Sequence, residues 1–175
     1  MLDAATRAMI EQGAGVSIAK IAEAAGVSKS GLLHHFSSRE ALVVAVVEDA
    51  NEQFRTRAIS NLDLSENHPG KMLRAYIRTV CSPEHSAEYM ASMALWAGIG
   101  SVPAAVKAVR DDAAWWGQQF ILDGLNGELA HIVQRAAEGL ATAYAYGDET
   151  DDSLTHARGY LLTMTQPETG NATKQ

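Results

Sequence analysis

The stretch IAKIAEAAGVSKSGLLHHFSSREAL, Ile18 to Leu42, decides how the chain is read. Its apolar residues recur at helical spacing in two short runs, Ile18, Ile21, Ala22 and Ala25, then Leu32 and Phe36. Gly26 stands between them as the residue that turns a chain through positive φ. Ser17 and Ser28 stand at helix N-cap positions, where a hydroxyl oxygen accepts a backbone N–H left unpaired by the first turn. Two short helices joined by a tight turn, with the small Ala22 at their crossing, make a helix-turn-helix. In that geometry the second helix packs one face on the core and offers its N-terminal residues to the major groove. From Ala24 to Arg39 the run carries two basic residues, two histidines and no carboxylate, in a chain of net charge -7. A carboxylate on that face would meet phosphates of its own sign.

Toward the N-terminus, Leu2, Ala5 and Met9 form one helical stripe that stops at Gly13 and Gly15. Toward the C-terminus, Ser37 and Glu40 have capping-box spacing and open a long fourth helix with Val43, Val47, Ala50 and Phe54 one above another. The first sixty residues carry six basic and seven acidic side chains, whereas the rest carry eight against fourteen and hold all three tryptophans, so the acidic excess belongs to a second part. Its stripes run through Leu73, Tyr76, Ile77 and Val80; Met90, Met93 and Ala97; Val109, Ala113, Trp116 and Phe120; Leu125, Leu129, Ile132, Ala136 and Leu140; and Leu154, Ala157, Leu161 and Met164. No stretch sustains the alternation of a strand. The reading is an all-α protein of about nine helices: a three-helix helix-turn-helix head over residues 1–48, a helical body over 49–165, and a tail over 166–175.

The single cysteine, Cys81, excludes an internal disulfide framework. No apolar run approaches membrane-spanning length and no secretory pattern opens the chain, so the expectation is a soluble cytoplasmic protein with no membrane partner. Metal and catalytic constellations are weak. His34 and His35 are adjacent, so on a helix they diverge by about 100° and do not share a metal. Pro83 separates Cys81 from His85 as a helix start, and His85 with Glu88 lacks a second Glu-x-x-His. No catalytic residue, metal or cofactor is expected.

The opening stretch is similar, nearly residue by residue, to the N-terminal signature of TetR-family transcriptional regulators, and MLDAATRAMIEQGAG resembles that family's first helix. The resemblance implies a homodimer that binds a palindromic double-stranded operator and releases it when a small molecule enters the body. By position it implies that Lys29 and Ser30 read bases, that His34 lies over base edges and His35 at a phosphate, and that Ser17 and Arg39 hold the backbone. Gly31 stands where Thr is common, consistent with close backbone approach, and Leu33 where a phosphate-touching Tyr is common. The resemblance also makes the aromatic and methionine group Tyr76, Tyr89, Met90, Met93, Trp96, Trp116 and Phe120 the lining of a pocket for a small hydrophobic effector. Trp116 is expected to point inward and Trp115 toward the surface or a partner. The body's net charge of -6 favours a neutral or cationic guest, unless Arg74 or Arg78 reverses that preference. The last two helices, through Leu125, Leu129, Ile132, Ala136, Leu140, Leu154, Leu161 and Met164, are implied to form a four-helix dimer interface. Two alternatives stand beside this reading: a helical enzyme or small-molecule carrier without DNA-binding function, and an activator with the same head.

Overall fold

The computed structural model describes residues 1–13, 15–85 and 99–166. Eight α-helices lie among them: α1 (Leu2–Gln12), α2 (Ile18–Ala24), α3 (Lys29–His35), α4 (Arg39–Ser60), α5 (Lys71–Val80), α6 (Pro103–Leu122), α7 (Gly127–Ala145) and α8 (Asp151–Met164). Single 3₁₀ turns occupy Pro83–His85 and Ile99–Ser101, and the described residues contain no strand. The stripe through Met90, Met93 and Ala97 lies outside the described residues. The chain forms two compact units, Met1–Thr56 with Ala87–Trp115 and Arg57–Ser86 with Trp116–Gln175, each as far as it is described.

In the first unit local chemistry sets each boundary. Gly13 leaves α1 at φ 83°, and Val16 N–H closes the turn on Gly13 O at 3.0 Å. Ser17 Oγ accepts from Lys20 N at 3.3 Å to start α2. Gly26 turns the chain at φ 66°, where a side chain would be strained, and Val27 N–H returns to Ala22 O at 3.0 Å. Ser28 Oγ then accepts from Gly31 N at 2.9 Å to start α3. The cap of α4 is Ser38, one residue after the expected Ser37, with its Oγ accepting from Ala41 N at 3.0 Å; Ala41 at N3 has no polar side chain to complete a capping box. Met9, Ile21, Leu32, Leu42, Val43, Val46 and Val47 close one core. Ile99, Val102 and Ala105, from the segment the sequence assigned to the body, complete it. The stripe of α4 accordingly turns on Leu42 and Val46 as well as Val43 and Val47, while Ala50 and Phe54 are only half-buried.

The second unit is built around α5, which packs on α7 and α8 and buries most of its circumference, Leu73, Arg74, Ala75, Tyr76, Ile77, Thr79 and Val80. Arg74 is the charged member of that core, with its side chain 0% exposed. Its Nε donates to Glu66 Oε2 at 2.7 Å, Nη1 to Pro69 O at 3.0 Å and Thr165 O at 2.6 Å, and Nη2 to His68 Nδ1 at 3.0 Å and His68 O at 3.5 Å. All five guanidinium N–H groups therefore have an acceptor. Glu66 also takes Arg78 Nη2 at 2.5 Å. Gly70, at φ 93°, leaves the guanidinium its room: a Cβ there would lie 2.6 Å from Arg74 Nη1. On α6, Trp116 and Phe120 are buried as expected, but Ala113, one turn before Trp116 and on the same side of the helix as Phe120, is exposed.

Removing one partner of a buried ion pair leaves the other uncompensated. Arg74→Ala is expected to lower stability by about 3–5 kcal/mol in urea unfolding. Burial pushes the Glu66 carboxyl up, but the hydrogen bonds from Arg78 and Arg74 outweigh it and hold it below the usual carboxylate range. The folded state thus binds this proton less readily than the unfolded chain. Its contribution is complete above the ordinary carboxylate value and is lost as pH falls through the lowered one. Between about pH 5 and 3 the wild-type unfolding midpoint is expected to drop more steeply than that of Glu66→Gln.

Candidate nucleic-acid interface

The outward face of α3 is fixed from behind. Leu32 is 1% exposed in the core of the first unit, and Phe36 packs partly against the same core. With those two turned inward, Lys29, Ser30, His34 and His35 are exposed, and Gly31 and Leu33 are half-buried. A seven-residue helix has little stability of its own, so the Ser28 cap and the Leu32 contact position its side chains. Ser28 Oγ also lies 3.0 Å from Ser30 Oγ, which ties the exposed Ser30 hydroxyl to the cap. A Cβ on Gly31 would stand 3.1 Å from Ser28 Oγ, so a larger residue here would press on the cap. The His34 and His35 rings meet edge-on with centroids 5.9 Å apart and do not converge on one ion. Arg39 is half-buried at the start of α4, and Ser17 is exposed at the start of α2.

Lys20 is a residue that the reading of the sequence passed over. It is exposed one turn beyond Ser17, with its Nζ donating to Gln12 Oε1 at 3.2 Å. Its i to i+3 spacing from the Ser17 cap was the available signal.

In the second unit Tyr76, Trp116 and Phe120 form one aromatic group. Tyr76 meets Trp116 and Phe120 edge-on at 5.0 and 5.7 Å, and Trp116 lies 5.8 Å from Phe120. One side of the group is polar: Tyr76 Oη donates to Glu138 Oε1 at 2.7 Å, and buried Gln134 donates to the same oxygen at 3.0 Å. Tyr89, Met90, Met93 and Trp96 lie outside the described residues. In the first unit, half-buried Trp115 carries the Arg55 guanidinium 4.5 Å above its ring, and Arg55 Nη2 reaches Asp112 at 2.5 Å. Burial pushes the Cys81 thiol up to about 12, with Arg158 opposing, and its Sγ faces Ala137 O at 3.5 Å. A thiol held neutral in a core is a poor nucleophile.

The expected dimer residues divide. Leu154 and Leu161 are buried within this chain, because α8 turns them toward α5 and α7. Leu125, Leu129, Ala136 and Leu140 are half-buried, while Ile132 at 61% and Met164 at 41% are exposed. Tyr160 on α8 and Ile121 and Leu122 at the end of α6 are also exposed.

Two family profiles match the chain: "Bacterial regulatory proteins, tetR family" over residues 1–46 and "Tetracyclin repressor-like, C-terminal domain" over residues 70–166. A search of the curated proteins returns no match. Among solved structures, the chain is similar to a transcriptional regulator from Pseudomonas aeruginosa PAO1, at 17% identity and TM-score 0.78, over 93% of this chain and 85% of that one. It is similar to a TetR-family regulator from Rhodococcus sp., at 20% identity and TM-score 0.75, over 94% of this chain and 96% of that one. A third likeness, at 19% identity and TM-score 0.71, is to a transcriptional regulator from Saccharomonospora viridis solved in complex with choline, over 91% of this chain and 90% of that one. At these identities the likeness establishes the fold.

Ser28→Ala removes the cap of α3 and is expected to lower stability by about 1 kcal/mol in urea unfolding. Ser30→Ala, which keeps the cap, is expected to leave the urea midpoint within experimental scatter.

Proposed function

The chain belongs to the tetR family of bacterial regulatory proteins, ligand-responsive transcriptional regulators, and we propose that it acts as a homodimeric cytoplasmic repressor without enzymatic activity. The observation that carries this reading is the acid-free outer face of α3, held outward by buried Leu32 and the Ser28 cap. Lys29, Ser30 and His34 read base edges of a palindromic operator, with Gly31 permitting close backbone approach. His35, Arg39, Ser17 and Lys20 hold phosphates. Among the described residues no helix is long and apolar enough to cross a membrane.

The effector is a small hydrophobic molecule bound at the aromatic group of Tyr76, Trp116 and Phe120. Arg74 and Arg78 both engage Glu66, and the carboxylate beside the aromatic group is Glu138, which supports a neutral or cationic guest over an anion. Ile132, Ala136 and Leu140 of α7 with Tyr160 and Met164 of α8 form the dimer face, edged by Ile121 and Leu122. Paired about a twofold axis, these two helices make a four-helix interface that sets half-site spacing.

The test is gel shift against the DNA flanking the chain's own gene, with light scattering on the same samples. Lys29→Ala is expected to weaken operator binding by about 1–3 kcal/mol and to relax preference at one base pair per half-site. Arg39→Ala and Lys20→Ala are expected to weaken operator and random DNA alike and to flatten the salt dependence. Equal losses on both DNAs for Lys29→Ala, or a monomer at micromolar concentration with DNA present, would contradict the reading.

A further inference from the structure

An arginine guanidinium has five donors and no acceptor. Where Arg74 Nη2 faces His68 Nδ1 at 3.0 Å, the ring nitrogen must therefore supply the lone pair. The imidazole is then neutral, with its proton on Nε2. The same Nδ1 also stands 3.2 Å from Pro69 O. Two acceptors face each other there, and this contact becomes a hydrogen bond only if Nδ1 takes up a proton. His68 thus has two incompatible arrangements. With Nδ1 bare it accepts from Arg74; with a proton on Nδ1 it can donate to Pro69 O instead, and a fully protonated ring also confronts a buried guanidinium with a second positive charge.

We propose that His68 is a proton-operated latch on the Arg74 clasp, closed when the ring is neutral and released when it is protonated. Its reach follows from what Arg74 holds. The guanidinium joins the 66–70 strap to α5 and, through Thr165 O, to the end of α8. On the Gly70 side it is closely packed, since a Cβ there would lie 2.6 Å from its Nη1. A proton taken from solvent onto Nδ1 leaves Nη2 short of an acceptor inside the protein, which destabilises the folded unit.

The charged neighbours do not supply an alternative partner for a protonated ring. From the same strap, Glu66 is engaged by Arg74 and Arg78, and Asp63 accepts from Ser65 N and Oγ. From α5 come Arg74, Arg78 and Lys71, all cationic. From the turn after α6, Asp123 Oδ2 accepts from Met72 N at 2.8 Å. The end of α8 presents the Thr165 carbonyl, which Arg74 occupies.

This inference does not depend on the operator-binding reading, and operator affinity is the wrong readout for it. Protonating the exposed His34 and His35 on α3 would strengthen phosphate binding while His68 weakened the body. The experiment is urea unfolding of the full chain at pH 7.5 and 5.5, for wild type and for His68→Asn, whose side-chain oxygen stands where Nδ1 stood and does not titrate. If the folded state holds the ring neutral across that interval, the wild-type folding constant should fall about tenfold more than the variant's. Equal falls in the two proteins would overturn the latch. A second measurement needs no folded variant at all: long-range proton–nitrogen spectra of nitrogen-15 histidine-labelled wild type near pH 8, using the Pro69–Gly70 neighbourhood to assign the ring. The latch requires the Nε2–H tautomer for His68, and an Nδ1–H tautomer refutes it.

Discussion

A guanidinium buried in an apolar core is stable only when its charge is matched and every N–H is accepted, and the second unit is arranged to meet that demand at Arg74. Glu66 supplies the opposing charge and three backbone carbonyls and one imidazole supply the remaining acceptors. These acceptors come from a loop five to eight residues upstream and from the far end of the chain at Thr165, so one side chain fixes the entry to α5 and the exit of α8 together. The backbone follows suit, with Gly70 at φ 93° because any side chain there would occupy the guanidinium's place. Such a network confers geometry more than net stability, since an ion pair of good packing and an apolar replacement can be nearly equivalent in energy.

The first unit works by a different economy of means. Its helices α2 and α3 are each seven residues long and depend on a serine cap at one end and a few buried side chains along one face. Leu32 in the core and Ser28 at the cap determine which way α3 presents Lys29, Ser30 and His34. The core that receives Leu32 is closed by Ile99, Val102 and Ala105, residues far along the chain from the helix-turn-helix. α3 and the start of α6 thus share one packed core, and a change in where α6 begins is felt by α3.

Most of the architecture was legible because helices leave a periodic trace and caps leave a chemical one. Ser17, Gly26 and Ser28 announced the two short helices, and each does in the fold what its chemistry suggested. The α4 cap was misplaced by one residue because Ser37 and Ser38 are equivalent as isolated signals, and only the geometry of the first turn distinguishes them. Ala113 was placed inward for a related reason: alanine is too small for its periodic position to say whether it packs or merely avoids conflict. Lys20 was overlooked because its spacing from Ser17 is a weak signal on a short helix until the elements beside it are in place.

What the sequence alone determined is therefore local and one-sided: that the chain is all helical, where the helix-turn-helix begins and turns, and which residues of α3 cannot be core. These follow from backbone preferences and from spacing within a few residues. The tertiary structure alone decided which partners distant residues meet. That Arg74 reaches Thr165, that Tyr76 lies against Trp116 and Glu138, that Arg55 stacks on Trp115, and that Leu154 and Leu161 are buried within their own chain all depend on the crossing of helices far apart in the chain. An amphipathic stripe says that a face is buried but not against what, because apolar surface is favourable against any apolar surface.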